Sequence, residues 1–355
     1  MRRKIIVAVS SVGLVLAIAT VVLQLISGPV FYFEPLPVLA ECTENDSLLV
    51  YRLRRSLDGI KVTGTMGDAA VAFELTTNSI GLRSPEVSPE KDCYRILVLG
   101  DSCTFGLGVD NKDTYPACLE RLLNAGHGQE RRFEVINAGV AGYTAWQCAR
   151  YLEVRGLKLD PDLVITCLGN NDVPEPNAPN AVNHLPRVYS GSYVQELLLD
   201  LAVYRIALAA YVWLLDGWDS PGQRQSGLAH ASPAQEAYRD NLLKIARTCK
   251  ETSTPLMFMV WPLLVQLPEQ HDGAGTARAR HYFRSRIDNQ RVMDGVAKSE
   301  GVPLVDPRAA LAVAREGPLY LEYIHANEKG LAIIAGVLKR AVLEHLGATR
   351  RPPGR

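Results

Sequence analysis

The chain has 355 residues, of which 47% are apolar and 21% charged, an ordinary globular mixture able to bury the core of one large α/β domain with appendages, or of two small domains. Lys+Arg and Asp+Glu balance at 38 each, and no Lys/Arg block stands outside the two termini. Nothing marks an electrostatic nucleic-acid binder, and nucleic acid is not an expected partner.

The N-terminus comes first. Met1-Arg2-Arg3-Lys4 precedes an uncharged run from Ile5 to Ile26, long enough to cross a bilayer as a helix. A secretory signal has a shorter apolar stretch with a small-residue cleavage site soon after it. Here Gly28-Pro29 and Phe31-Tyr32-Phe33 follow, and Val38-Leu39-Ala40, which a peptidase could cut, lies far beyond the run. The pattern therefore predicts an uncleaved transmembrane anchor over residues 1–30, with a cleaved signal and a buried soluble helix as the alternatives. Positive charges before the run, and none after it until Arg52, place the N-terminus in the cytoplasm. The main domain would then lie outside a bacterial inner membrane, in the periplasm, with Phe31, Tyr32 and Phe33 as an interfacial aromatic belt.

Seven cysteines (Cys42, Cys93, Cys103, Cys118, Cys148, Cys167 and Cys249) leave at least one unpaired in an exported domain. Cys118, Cys148, Cys167 and Cys249 stand in apolar or helical settings and read as small buried hydrophobes. Leu39-Ala40-Glu41-Cys42 suggests lipid attachment only superficially, because Glu41 fits poorly and the apolar run is distant.

Phe31 to about Asp58 reads as a connecting stretch. Weak alternation from Ile60 to Leu82 predicts one or two strands, and Ser84 to Lys91 is a polar, proline-bearing link. Residues 31–91 thus form a linker or small β-containing extension ahead of a main domain over 92–350. From Arg95 onward the pattern is strand, loop, helix, repeated. Strands are predicted at Ile96–Leu99, Phe133–Ile136, Leu163–Thr166, Leu256–Val260 and Pro303–Val305. Helices are predicted at Thr114–Asn124, Ala145–Arg155, Pro233–Lys250, Phe283–Glu300 and from Glu328 to about Leu346. Short apolar strands alternating with amphipathic helices predict an α/β fold with a parallel sheet covered on both faces. The strongly apolar Tyr193–Trp218 breaks the rhythm: a helix packed on the core, or a cap over the site. Arg205 argues against a second membrane span.

Ligands of such sheets bind beyond the carboxyl ends of the strands. The first apolar strand runs straight into Gly100-Asp101-Ser102. A serine there is commonly a plain helix cap, but glycine allows the tight backbone that an exposed nucleophile needs. A serine is inert without a base and a place for the developing oxyanion. The second strand ends in Asn137 to Thr144, whose glycines let a backbone N–H approach a substrate oxygen. The third ends in Gly169-Asn170-Asn171-Asp172, where an asparagine amide can donate to the same oxygen. Among seven histidines, His325 stands in a polar loop just ahead of the last helix, the natural proton carrier. Glu322, three residues earlier, is the candidate to hold its other ring nitrogen. The remaining histidines show no metal-ligand spacing, so neither a metal nor a cofactor is expected.

These blocks, in this order and from about Arg95 to Leu346, resemble the SGNH or GDSL-type hydrolase family. The resemblance implies a flavodoxin-like three-layer α/β/α fold with a mainly parallel five-stranded sheet and a serine ester hydrolase activity. It makes Ser102 the nucleophile and His325 the base, with Ser102, Gly142 (rather than Gly139) and Asn171 forming the oxyanion hole. Asp101 and Asp172 become braces of the loops. Two departures stand out: Cys103 follows the serine, and Glu322 replaces the aspartate of D-x-x-H, so a backbone carbonyl is the alternative orienter of His325. Asp306 reads as a turn residue. The expected substrate is an acyl ester, acetyl foremost, on an exported carbohydrate, a lipid or a small molecule. The alternatives are an O-acyltransferase acting on a polysaccharide, and a non-catalytic carbohydrate-binding or assembly component.

Overall fold

A computed structural model describes residues 37–46, 48–66, 69–125, 131–173, 233–267, 283–314 and 317–349. The expected anchor (1–30), the aromatic belt and the apolar segment Tyr193–Trp218 lie outside these residues. Among the described residues no helix is long and apolar enough to cross a membrane. Nearly all of them belong to one compact unit, Pro35–Glu44, Arg52–Pro174 and Ala231–Arg355. In the described part of the other unit, Asn45–Tyr51, the Asp46 carboxylate accepts from the backbone N–H of Leu48 and of Leu49, fixing a turn.

A 3-10 turn (Pro37–Cys42) and two short strands, β1 (Thr43–Asp46) and β2 (Val50–Leu53), come first. An antiparallel hairpin follows, β3 (Ile60–Met66) against β4 (Ala69–Leu75), with Val62 opposite Phe73. The main sheet has five parallel strands: β5 (Tyr94–Gly100), β6 (Phe133–Gly139), β7 (Leu163–Cys167), β8 (Leu256–Met259) and β9 (Leu304–Val305). Their order is β6-β5-β7-β8-β9. The helices of the unit are α1 (Ser102–Phe105), α2 (Tyr115–Asn124), α3 (Ala145–Val154), α4 (Pro233–Glu251), α5 (Arg284–Glu300), α6 (Arg308–Ala312) and α7 (Glu328–Thr349).

The apolar runs explain the sheet. Every residue of β7 and β8 is buried, as are Arg95 to Gly100 of β5, because helices cover both faces. Side chains alternate between the faces. Ile96, Val98, Leu163, Ile165, Met257 and Met259 meet Tyr115 and Leu119 of α2 and Ile334 and Leu338 of α7 in one apolar cluster. The other face carries α3, α4 and α5, packed in that sequence. Leu97 turns to this side, beside Leu152 of α3 and the turn at Gly156. β6 runs three residues beyond its expected end, since Asn137, Ala138 and Gly139 pair with Val98, Leu99 and Gly100. α7 continues past Gly347 to Thr349.

β6 is an edge strand whose outward N–H groups are occupied by side chains: Phe133 by Asn124 (3.0 Å), Val135 by Glu120 (2.7 Å) and Asn137 by Ser84 (2.7 Å). In a sheet of this order the chain reverses its winding between β5 and β7, and the crevice opens beyond their carboxyl ends.

Candidate active site

β5 delivers the chain to a turn that only glycine permits. A Cβ on Gly100 would stand 1.9 Å from Thr104 Oγ1, and one on Gly139 would stand 2.3 Å from the Phe105 nitrogen. The single turn α1 is thus pressed onto β5 and β6 with Ser102 at its head. Asp101, completely buried, caps it by accepting from the Cys103 N–H (2.9 Å). Burial pushes the Asp101 carboxyl upward, against hydrogen bonds from Cys103 and Asn170 that favour the anion. Behind α1 sits the buried Arg83. Its guanidinium donates to the carbonyls of Phe105 (2.8 Å), Gly106 (2.7 Å) and Val109 (2.6 Å) and lies over the Phe105 ring at 4.5 Å. Burial pulls Arg83 down to about 9, so it stays cationic at pH 7.

Three loops are knitted together beyond the strands. The Val140 N–H donates to the Gly100 carbonyl (3.2 Å), joining the first loop to the second. Asn170 Nδ2 donates to Asp101 Oδ2 (3.1 Å), joining the third to the first. Asn171 Nδ2 donates to the Tyr143 carbonyl (3.0 Å), and the Asp172 carboxylate accepts from the Ala145 N–H at the start of α3 (3.0 Å), joining the third to the second. Burial pushes Asp172 up to about 7, only partly opposed by hydrogen bonds from Ala145 and Gly169. The Thr144-x-x-Gln147 pair completes a capping box on α3.

His325 arrives on the segment that leads into α7. A bridge between Tyr320 and Ala326 closes it, and the Leu321 N–H donates to the His325 carbonyl (2.8 Å). The segment after β8 clamps it from behind: Trp261 Nε1 donates to the Ile324 carbonyl (2.7 Å), and the Leu264 N–H to the Tyr323 carbonyl (3.0 Å). The loop lies so close to α7 that a Cβ on Gly330 would stand 2.4 Å from the Leu319 carbonyl oxygen.

His325 Nε2 lies 2.8 Å from Ser102 Oγ, across 223 residues of chain. On its other side Nδ1 meets Glu322 Oε1, not a backbone carbonyl. Glutamate replaces aspartate without loss of reach because its carboxylate folds back over its own turn. Oε1 accepts from the His325 N–H (2.8 Å) and Oε2 from the Ile324 N–H (3.0 Å). Burial alone would raise Glu322, but the hydrogen bonds and charge of His325 outweigh it and hold the carboxyl below the usual range. Ser102, His325 and Glu322 therefore form one hydrogen-bonded chain of hydroxyl, imidazole and carboxylate, an arrangement able to move a proton off the hydroxyl.

The remaining expected residues take the following places. Gly142 follows β6 at φ +86°, a conformation suited to glycine. Asn171 uses one amide hydrogen on Tyr143, and an amide nitrogen has a second to offer. Cys103 is buried under the turn, 3.4 Å from Asn170 Nδ2. All seven cysteines are free and buried. Asp306 faces Arg308 in an exposed turn. Among the described residues no three His, Cys, Asp or Glu side chains gather as metal ligands. Sequence reading missed Arg83 and Trp261, whose contacts depend on partners elsewhere in the chain. It also passed over Asn170, although its neighbour was singled out.

A family model described as GDSL-like lipase/acylhydrolase matches residues 98–333. Among curated proteins none matches. Several solved structures are similar. An acetyl xylan esterase is 15% identical, over 70% of this chain and 99% of that one, with a TM-score of 0.44. An acetylxylan esterase from Geobacillus stearothermophilus is 18% identical, over 71% of this chain and 96% of that one, at 0.42. An α/β hydrolase from the metagenome of Lake Arreo, Spain, is 21% identical, over 70% of this chain and 94% of that one, at 0.42. The match along the chain, not these likenesses, carries the assignment.

Proposed function

The chain belongs to the GDSL-like lipase/acylhydrolase family, a family of ester hydrolases, and from that premise we propose that it cleaves its ester through an acyl-enzyme on Ser102. Glu322 holds neutral His325 with its proton on Nδ1, which leaves the Nε2 lone pair for Ser102. Nε2 takes the hydroxyl proton as Oγ attacks the ester carbonyl. The oxyanion is met by the backbone N–H groups of Ser102 and Gly142 and by the Asn171 amide. Collapse expels the alkoxide, which takes the proton from Nε2 and leaves as the alcohol. Water, deprotonated by the same nitrogen, then attacks the acyl-enzyme; Ser102 Oγ leaves, takes that proton from Nε2, and the acid is released. The observation supporting this reading is the 2.8 Å contact between His325 Nε2 and Ser102 Oγ, with Glu322 on the far side of the ring.

The proposed substrate is an acetyl ester on an exported carbohydrate or lipid. The apolar run Ile5–Ile26 behind a basic tip supports this, because it would tether the domain outside a bacterial inner membrane. Purified protein should hydrolyse p-nitrophenyl acetate, and Ser102→Ala should abolish the hydrolysis. Activity that falls steadily from acetyl to longer chains supports the acetyl assignment; a gain with each added methylene points to a lipid. Transfer of acetyl to an added glycan, in place of hydrolysis, would make the protein an acyltransferase.

A further inference from the structure

We infer that Asn289, on α5 and remote in sequence from every catalytic block, is a positioning residue for the oxyanion donor Asn171. The inference rests on the assignment of Asn171 above. The Nδ2 of Asn289 donates to the Gly169 carbonyl and to the Asp172 carbonyl, each at 2.9 Å. Those two carbonyls flank Asn170 and Asn171, so one buried amide grips the segment that carries the donor on both sides. Tyr238 of α4 adds a third anchor, its hydroxyl donating to the Leu168 carbonyl (3.1 Å). The loop enters through Gly169 at φ +111°, a conformation that suits glycine.

The other end of the Asn289 amide distinguishes positioning from packing. Its Oδ1 is buried with no hydrogen-bond partner among the described residues. An unpaired buried acceptor is a standing cost that an apolar side chain of similar shape would shed. The polar contribution of Asn289 therefore comes from its nitrogen. The next residue turns to another side of the helix: Gln290 Nε2 donates to the Trp261 carbonyl (2.8 Å), and Trp261 in turn holds the carbonyl ahead of His325. Consecutive residues of α5 thus brace the donor loop and the base loop from one rigid element. Oxyanion donors act over a narrow range of distance, and a shift of ~1 Å can cost ~100-fold in rate.

The test is a double-mutant cycle on the full-length chain: wild type, Asn289→Leu, Asn171→Ala and the pair. The readout is kcat for p-nitrophenyl acetate per fluorophosphonate-titrated site. Asn171→Ala should lose ~100-fold, as removal of an oxyanion donor does. Asn289→Leu should lose ~10-fold in kcat with KM within ~2-fold. In the Asn171→Ala background the same change should cost less than ~2-fold, because the group it positions is gone. Asn289→Ser, which keeps one donor, runs through the same cycle under the same criteria should the leucine variant not fold. An equal loss in both backgrounds, or no loss in wild type, overturns the role of Asn289 while leaving Asn171 in place. A wild-type kcat in Asn171→Ala overturns both.

Discussion

Replacing Glu322 with glutamine tests the orientation of the base with the least change of shape. The carboxylate accepts three hydrogen bonds: from His325 Nδ1 and the His325 N–H through Oε1, and from the Ile324 N–H through Oε2. An amide has one accepting end. If its oxygen takes the His325 side, the NH2 confronts the Ile324 N–H and the turn must open. If its oxygen takes Ile324, the NH2 faces His325 and favours the tautomer whose Nδ1 accepts. The proton then moves to Nε2, which can no longer take one from Ser102. Either way the loop loses charge-assisted bonds, at about 1.5–3 kcal/mol each in stability. The wrong tautomer should cost about 10³–10⁴ in kcat, or about 4–5.5 kcal/mol of barrier. Glu322→Asp, whose shorter carboxylate caps the same turn as an Asx motif, should stay within about tenfold. The assay is kcat per titrated site on p-nitrophenyl acetate, with urea midpoints on the same samples. A glutamine variant within about threefold of wild type in kcat would refute the orienting role and leave a Ser102–His325 dyad.

Arg83→Met strands the carbonyls of Phe105, Gly106 and Val109 behind the nucleophile turn. It should cost about 3 kcal/mol or more by urea denaturation, and a loss under about 1 kcal/mol would show that the guanidinium is dispensable. Gly139→Ala places a methyl 2.3 Å from the Phe105 nitrogen. It should cost at least about 1–3 kcal/mol and lower kcat per site by tilting α1; unchanged activity would contradict the close packing. Asp172 carries a folded-state value of about 7, above that of an unfolded aspartate. Its contribution is therefore full at acid pH and is lost as pH rises between about 4 and 7. Wild-type stability should fall by a few kcal/mol more than that of Asp172→Asn between pH 5 and pH 8 in urea titrations, and parallel curves would place the titration elsewhere. Glu322 has the opposite sign: its carboxyl is held low, so its contribution is present at neutral pH and lost on acidification through its folded-state value.

What the sequence disclosed, and what it hid, follows from range of interaction. Ile96–Leu99 and Leu163–Thr166 announce buried strands because a two-sided sheet needs uninterrupted apolar runs. The helical pattern of Ala145–Arg155 announces α3 because it acts over a few residues, while the capping box of Thr144 and Gln147 emerged only in the structure. Glu322 and His325 are legible as a pair for the same reason, since the carboxylate closes a turn on its own neighbours. Ser102 and His325 meet across 223 residues, and only the ordered motif blocks pointed to that meeting. Asn289 and Arg83 carry no such mark. Each is a single polar residue whose partners are mostly backbone carbonyls of other segments, and a carbonyl leaves no trace in the identity of its residue. β9 shrank to two residues and β6 lengthened by three, because edge pairing is set by register with neighbours, not by local hydrophobicity.

The central claim is that the Ser102 hydroxyl is the group acylated by substrate. Peptide mass spectrometry of the full-length protein after treatment with a fluorophosphonate tests it most directly. One adduct on the peptide containing Ser102, absent in Ser102→Ala and strongly slowed in His325→Ala, is the expected result. An adduct on another residue, or none on Ser102 while ester hydrolysis proceeds, would contradict it.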